Sequence, residues 1–389
     1  KMVGRARLRT EGTLIGPLFR ITMSDHLSPE QRERYARHLA LPGVGSEGQK
    51  KLLKSSVLVV GAGGLGSPAL MYLAAAGVGR IGIVDNDKVS SSNLQRQIIH
   101  NTSSIGSAKV ESASNWISEL NPDIVVEEIK EKLTSENSIR VISNYDVVID
   151  GTDNFESRYL IGDSCEILGK PWIFGSIHRF EGQVSSFNFK GGPNYRDLFP
   201  SPPPPELSPN CSEAGVLGIL PGIVGTIQAT EAIKIILDIG NCLSGELLVI
   251  DALTLDFRKL EFSTNTEREK VTTLSKNQEK GFSEISAKEF YDRRIGGWTP
   301  FLLDVRRSHE EQISSIGGTD VRIMHLEIPS RLEELPSQSD IVVYCRSGQR
   351  SDAVARFIVD SGLFNGMVYN LLGGINAWSD EADPSVVKY

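Results

Sequence analysis

A cysteine that ends a buried apolar run and opens a loop closed by arginine is the strongest chemical signal in the chain. Ile341-Val342-Val343-Tyr344 reads as a strand, and Cys345-Arg346-Ser347-Gly348-Gln349-Arg350-Ser351 follows it directly. A helix opened by Asp352-Ala353-Val354 is expected next. Such a strand, loop and helix aim several backbone N–H groups at the sulfur, while Arg346 and Arg350 add positive charge. That setting lowers a thiol pKa and holds an anion. It suits a sulfur that attacks, carries a second sulfur as a persulfide and passes it on. On the residues alone, a Cys-to-Arg phosphatase cradle and a structural Cys capping a strand stay open.

A second constellation lies in the first two thirds. Val57-Leu58-Val59-Val60 reads as a buried parallel strand, Gly61-Ala62-Gly63-Gly64-Leu65-Gly66 as a turn and 67–76 as a helix. Ile81-Gly82-Ile83-Val84 is a further strand that ends at Asp85. This is a dinucleotide-type βαβ pattern: glycines let the backbone approach phosphates at a helix N-terminus, and the carboxylate takes ribose hydroxyls. Alone it points to an NAD-dependent oxidoreductase. The next residues argue otherwise, because Ser92-Asn93-Leu94-Gln95-Arg96-Gln97 and then Lys109 bring an Arg, a Lys and several amides to one turn. That charge suits a triphosphate and a developing pyrophosphate, and a neutral nicotinamide has no use for it. Val147-Val148-Ile149-Asp150 reads as another strand, with Gly151-Thr152-Asp153-Asn154 at its C-terminal end, where ligands of open α/β sheets gather. Asp153 is placed to hold magnesium against the phosphates.

These residues need an α/β scaffold, and the composition allows one. The 389 residues are 40% hydrophobic and 23% charged, ordinary globular material for two or three domains. A formal charge of −8 argues against a nucleic-acid surface. Four cysteines without paired spacing fit a reducing compartment. No apolar run approaches the roughly 18 to 20 residues needed to span a bilayer. A soluble cytoplasmic protein, with neither nucleic acid nor membrane as partner, is therefore expected. Residues 1–22 carry Arg5, Arg7, Arg9 and Arg20 and are expected to be a disordered leader. Ser28 followed by Pro29 caps a first helix. Stretches 247–251 and 255–262 read as the last strands of a first unit, 263–281 as a polar linker, and 282–389 as a second unit.

The Cys345 to Arg350 run resembles the active loop of rhodanese-type sulfurtransferases. From about residue 27 to 262, the Ser-Asn-Leu-Gln-Arg-Gln string and the Thr-Asp-Asn turn resemble the ThiF/MoeB family, ATP-dependent activators of ubiquitin-like sulfur carriers. Joined on one chain, the two are similar to MoeZ-type adenylyltransferase/sulfurtransferases. The resemblance implies a Rossmann-like domain of the ubiquitin-activating-enzyme type at 23–262, followed by a smaller α/β rhodanese domain at 282–389. It makes Gly64, Asp85, Ser92, Asn93, Leu94, Gln95, Arg96, Lys109, Asp153 and Asn154 the ATP contacts, with Arg96 and Lys109 stabilising phosphate charge. Arg37 would reach into a partner subunit's nucleotide site, which implies a homodimer; a solvated helix charge is the alternative. Asp304 and Arg306, in Leu303-Asp304-Val305-Arg306, would brace the loop Cys345-Arg346-Ser347-Gly348-Gln349-Arg350. Cys211 matches the family's crossover-loop cysteine, which either bonds the carrier covalently or plays a supporting part.

Two departures stand out. Many family members hold a structural zinc through two Cys-x-x-Cys pairs. Here Asn194 and Asp197 occupy the first pair's places and no Cys-x-x-Cys follows Phe262, so no zinc is expected, and packing should hold that corner instead. The usual His-Ile-Pro-Gly is Ser315-Ile316-Gly317-Gly318.

The implied function is ATP-dependent adenylation of the C-terminal Gly-Gly of a MoaD/ThiS-type sulfur carrier, then transfer of persulfide sulfur from Cys345 to give a thiocarboxylate. Thiosulfate or a cysteine desulfurase would supply the sulfur. Molybdopterin synthesis is the first pathway to consider, with thiamine, cysteine or tRNA thiolation as alternatives. An NAD-dependent oxidoreductase fused to a rhodanese unit and a non-catalytic carrier-binding scaffold are the readings from other classes.

Overall fold

Strand β1 (Ser56–Val60) is buried at every position, as a parallel strand covered on both faces must be. It lies inside an eight-stranded sheet with β2 (Arg80–Val84), β3 (Val125–Ile129), β4 (Val147–Asp150), β5 (Trp172–His178), β6 (Glu181–Phe187), β7 (Glu246–Asp251) and β8 (Asp256–Glu261). The computed structural model describes residues 26–202, 215–274 and 281–389; Cys211 and the leader 1–22 lie outside them. The strand order is β3-β2-β1-β4-β5-β6-β7-β8, parallel as far as β5 and antiparallel beyond it.

Helix α1 (Pro29–Arg34) opens with a capping box, in which the Ser28 hydroxyl accepts from Gln31 N and the Gln31 side chain accepts from Ser28 N, each at 3.1 Å. Then come α2 (Ala36–Leu39), α3 (Gly45–Lys54), α4 (Gly66–Ala76), α5 (Lys109–Leu120), α6 (Ser138–Ile142), α7 (Phe155–Leu168), α8 (Tyr195–Leu198) and α9 (Leu220–Leu237). The β1-to-α4 turn is tight enough to exclude side chains. Gly61 has φ +97, and a Cβ on Gly66 would stand 1.9 Å from the Gly61 carbonyl oxygen.

Helix α9 corrects one expectation. Its 18 residues are apolar enough on average, and the helix long enough, to cross a membrane by length and composition, although no run of that length was expected. Its position explains its composition: it packs against α4, β5 and β6. The buried Gln228 donates to the carbonyls of Asp150 and Ile173, at 2.7 and 3.2 Å. Glu231 accepts from Ser186 Oγ and Leu243 N, at 3.0 and 2.7 Å. A helix whose polar groups are committed to protein partners is a core helix.

The second sheet, β11-β10-β12-β13-β9, is parallel throughout: β9 (Ser283–Ile285), β10 (Phe301–Asp304), β11 (Val321–Arg322), β12 (Ile341–Tyr344) and β13 (Val368–Leu371). Around it lie α10 (Ala287–Ile295), α11 (Ser308–Glu311), α12 (Ile328–Arg331), α13 (Gln349–Asp360) and α14 (Gly374–Glu381). Alternate residues of β12 feed two apolar clusters, Ile341 and Val343 one, Val342 and Tyr344 the other. Helix α13 begins at Gln349 rather than at Asp352, because Gly348 takes a left-handed conformation, φ +89, and turns the chain into the helix.

The corner at Asn194 and Asp197 is held by packing, as expected, with the buried Tyr195 ring against Tyr159, Trp172, Phe174, Phe187 and Phe199, and an ion network is added to it. Asn194 Oδ1 accepts from Tyr195 N at 2.5 Å. Asp197 Oδ2 accepts from Asn194 N at 2.7 Å, and its Oδ1 from Arg268 Nε at 2.9 Å and Asn265 N at 3.2 Å. Arg268 also donates to both Glu166 oxygens, at 2.8 and 3.2 Å. Zinc needs four thiolate, imidazole or carboxylate donors, and a guanidinium offers none. This donor set does not fit the metal.

Candidate active sites

A cavity of about 260 Å³ lies at the C-terminal ends of β1, β2 and β4. Gly61, Gly63 and Gly64 form one wall, and Asp85, Arg96, Lys109, Asp153, Asn154 and Arg158 project around it. Asp85 follows β2 and ties the turn together: its Oδ2 accepts from Ala62 N at 2.9 Å and its Oδ1 from Asp87 N at 2.8 Å. Lys109, the first residue of α5, is buried, with its Nζ 2.7 Å from Asp87 Oδ2 and 3.9 Å from Asp85 Oδ2. His100 links the glycine turn to α5. Its Nε2–H donates to Ala62 O and its Nδ1 accepts from Ser112 Oγ, both at 2.9 Å; burial lowers its pKa and keeps the ring neutral.

Of the residues singled out above, Gly64, Asp85, Arg96, Lys109, Asp153 and Asn154 meet at this cavity. Ser92, Asn93, Leu94 and Gln95 do not line it. Ser92 and Asn93 build the preceding turn, where Asn93 Oδ1 accepts from Ser90 N at 3.2 Å and the Ser92 and Ser90 hydroxyls lie 3.0 Å apart. They serve to deliver Arg96, whose Nη1 donates back to Ser92 O at 3.2 Å. Arg37 is exposed on α2, outside the lining. Asn154 caps α7 by accepting from Ser157 N at 2.9 Å.

Sequence reasoning missed a buried pair beneath this wall. Asp150 ends β4 with no solvent exposure, accepting from Thr152 N at 2.8 Å and Thr152 Oγ1 at 2.6 Å, with Arg158 Nε at 3.7 Å. Burial pushes its carboxyl up to about 6, and the Arg158 charge limits the rise. Arg158 donates to Thr152 O at 3.3 Å and lies over the rings of Phe155 and Phe174. One signal was available: Arg158 stands one helical turn after the Asn154 cap, hence on the face that looks into the same cavity. A magnesium ion that keeps its water and phosphate ligands needs only one or two carboxylates. Asp153, exposed at the cavity rim, fits that demand, although among the described residues no group of three or more His, Cys, Asp or Glu assembles.

The second site is the loop after β12. Cys345 is fully buried, and its Sγ accepts from Gly348 N at 3.1 Å and from Ser351 Oγ at 3.4 Å. One amide and one hydroxyl thus serve the sulfur where the sequence suggests several amides. Arg350 turns back onto Glu310 of α11 in a bidentate pair, at 2.7 and 2.8 Å, with both side chains under a tenth exposed. Burial works to raise the Glu310 pKa, but the hydrogen bonds from Arg350 and from Arg307 N hold it down at about 2. Arg306 is wholly buried against Asp304, Nη2 to Oδ2 at 2.6 Å, and Tyr344 OH donates to the same oxygen at 3.0 Å. Ser347 is exposed at the tip of the loop. The Gly317 carbonyl is held by Arg294 Nη1 at 2.8 Å.

Comparison with known proteins assigns a family to each half of the chain. Residues 35–271 match the ThiF family and residues 286–381 the rhodanese-like domain. A probable adenylyltransferase/sulfurtransferase MoeZ of Mycobacterium tuberculosis is 42% identical over 381 residues, which cover 93% of this chain and 96% of that protein. A probable molybdopterin-synthase adenylyltransferase of Porphyra purpurea is 43% identical over 364 residues, 91% of this chain and 94% of that one. Among solved structures, E. coli MccB with ATP superposes with a TM-score of 0.51 at 20% identity, over 57% of this chain and 68% of MccB, a likeness of fold. The ThiF match takes in more than half of the sequence and the MoeZ relative nearly all of it, so the chain belongs to the ThiF family and, with its rhodanese-like domain, is an adenylyltransferase and sulfurtransferase.

Proposed function

We propose that the cavity binds ATP and adenylates the C-terminal glycine of a small ubiquitin-like sulfur carrier, and that Cys345 then supplies sulfur to the activated carbonyl. The observation that carries this reading is the gathering of Arg96, Lys109 and Arg158 around a glycine turn in which Gly61 and Gly66 leave no room for a side chain. Three cations beside exposed backbone suit a polyphosphate. The carrier's carboxylate attacks the α-phosphorus, and pyrophosphate leaves with the electron pair. Arg96 and Lys109 face the charge that develops on the departing oxygens. Lys109 would exchange Asp87 for a phosphate oxygen, and Asp153 would hold magnesium, which supplies further charge neutralisation when bound. Arg37 would complete the site of a second copy in a homodimer.

In the second half-reaction the terminal sulfur of a Cys345 persulfide attacks the adenylated carbonyl and AMP leaves. A thiol reductant then cleaves the acyl disulfide, releasing the thiocarboxylate and returning the Cys345 thiol. Thiosulfate or a desulfurase persulfide would reload it in a reducing cytosol. The name of the Porphyra relative supports molybdopterin synthesis as the pathway served. The test is intact-mass spectrometry of a Gly-Gly-tailed carrier incubated with this protein, magnesium ATP, thiosulfate and reductant. One oxygen-for-sulfur exchange that needs ATP and is lost in Cys345→Ala is expected. A carrier unchanged under all conditions would reject the proposal.

A further inference from the structure

We infer that Tyr389 is a positioning residue for sulfur transfer at Cys345: its hydroxyl joins the two buried ion pairs that frame the loop, and its ring seats the guanidinium next to the nucleophile. The inference rests on the reading of Cys345 as the sulfur-carrying residue. No motif marked this tyrosine, and it lies 44 positions from the cysteine in sequence.

Four contacts, from three residues, converge on it. Arg306 Nη1 donates to the Tyr389 hydroxyl at 2.8 Å, and that hydroxyl donates to Glu310 Oε1 at 3.1 Å. The phenol therefore bridges the Asp304–Arg306 pair at the end of β10 to the Glu310–Arg350 pair at the start of α13. The Arg346 guanidinium lies over the Tyr389 ring, 5.1 Å from its centroid, and the Arg306 guanidinium lies 5.8 Å from it. The segment carrying Tyr389 is itself fixed. Ser379 Oγ donates to Val386 O at 2.6 Å, Ser314 Oγ donates to Val387 O at 2.8 Å, and Val386 is buried in the apolar cluster that holds Tyr344. Burial raises the phenol pKa to about 12, so the proton donated to Glu310 stays in place at neutral pH.

The chemistry follows from this placement. Glu310 Oε1 accepts from Arg350 and from the tyrosine while Oε2 is also held by Arg307 N, so losing the hydroxyl leaves Oε1 tied to Arg350 alone and lets the two shift together. Arg350 sits on the turn that also carries Ser351, a donor to the sulfur. Arg346 is held by a ring, and no carboxylate among the described residues pairs with it, so its charge is left uncompensated for an anionic donor. The two parts predict separate kinetic effects. The hydroxyl sets the loop around the reacting sulfur and should govern kcat, while the ring orients Arg346 toward the donor anion and should govern KM.

Thiosulfate with cyanide as acceptor isolates this half of the enzyme. The Cys345 thiolate attacks the outer sulfur, sulfite leaves with the bonding pair, and cyanide removes that sulfur as thiocyanate, restoring the thiolate. The full chain would be compared with Tyr389→Phe, Tyr389→Leu and Cys345→Ala, with the folded fraction of each measured by thermal unfolding. Tyr389→Phe should lower kcat about 10- to 150-fold with KM for thiosulfate within twofold, the range for a lost bond to a charged group. Tyr389→Leu should share that loss and also raise KM about fivefold, a rise that the phenylalanine variant, which keeps the ring, does not show. Wild-type kcat and KM in both variants would overturn the inference, as would losses that merely track the folded fraction. An inactive wild type, or an active Cys345→Ala, would instead bring down the reading of Cys345 and this inference with it.

Discussion

Glu310 shows how one buried carboxylate ties stability to pH. Its pKa falls from an ordinary 4.5 to about 2 because Arg350 and Arg307 N bond the ionised form more strongly than burial penalises it. A depressed carboxylate contributes stability that is fully present above pH 4.5 and is lost as pH falls through about 2, a contribution of about 3 kcal/mol. Glu310→Gln should therefore unfold at lower urea than the wild type at pH 7, and the gap should close as pH drops from 4.5 toward 2. A gap of constant size across that range would show that the charge is not the cause. Asp150 works with the opposite sign. Its carboxyl is raised to about 6, so it favours the folded chain at low pH and loses that contribution as pH rises from 3.8 through 6.

Each site is built where a parallel strand hands over to a helix through a glycine that tolerates no side chain. At Gly348, with φ +89, an added Cβ would stand 3.0 Å from Gly373 N and 3.1 Å from Leu371 O, both backbone. Gly348→Ala should cost the turn roughly 1–3 kcal/mol. Thiosulfate-to-cyanide transfer should fall at least tenfold while carrier-dependent ATP–pyrophosphate exchange stays within twofold, since the exchange site stands on the other sheet. Equal loss of both activities would refute that separation. These handovers were legible in the sequence because apolar runs such as 57–60 and 341–344 are followed at once by glycine-bearing turns, a local pattern. The surroundings were not. The Ser92 to Gln95 string reads as ligand contacts, while the structure shows Ser92 and Asn93 building the turn before Arg96, a role the sequence hides because a run of polar residues looks alike whether it faces a ligand or its own backbone. Tyr389 and Glu310 are 79 positions apart, and Arg268 and Glu166 are 102 apart, pairings fixed by tertiary folding and by no local spacing.

Across the whole molecule, Arg268 fastens the chain that leaves β8 to α7 and α8, and its two carboxylate partners are almost without solvent: Asp197 is 1% exposed and Glu166 7%. Removing the guanidinium leaves both charges buried and unpaired, which costs about 2–4 kcal/mol. Arg268→Ala should lower the first thermal transition by several degrees, added zinc should restore none of it, and high salt should narrow the difference little because the pairs are buried. An unshifted transition would show that the corner is held by something else. A thiolate cluster at this position would be open to the reagent the enzyme handles, because sulfane sulfur adds to thiolates and displaces the metal they carry. Carboxylates and a guanidinium take up no sulfur, and the Cys165 thiol is buried with its pKa driven up by desolvation. That corner is thus chemically blind to the enzyme's own cargo: the protein can be loaded with excess sulfur donor, cycle after cycle, without the corner coming apart.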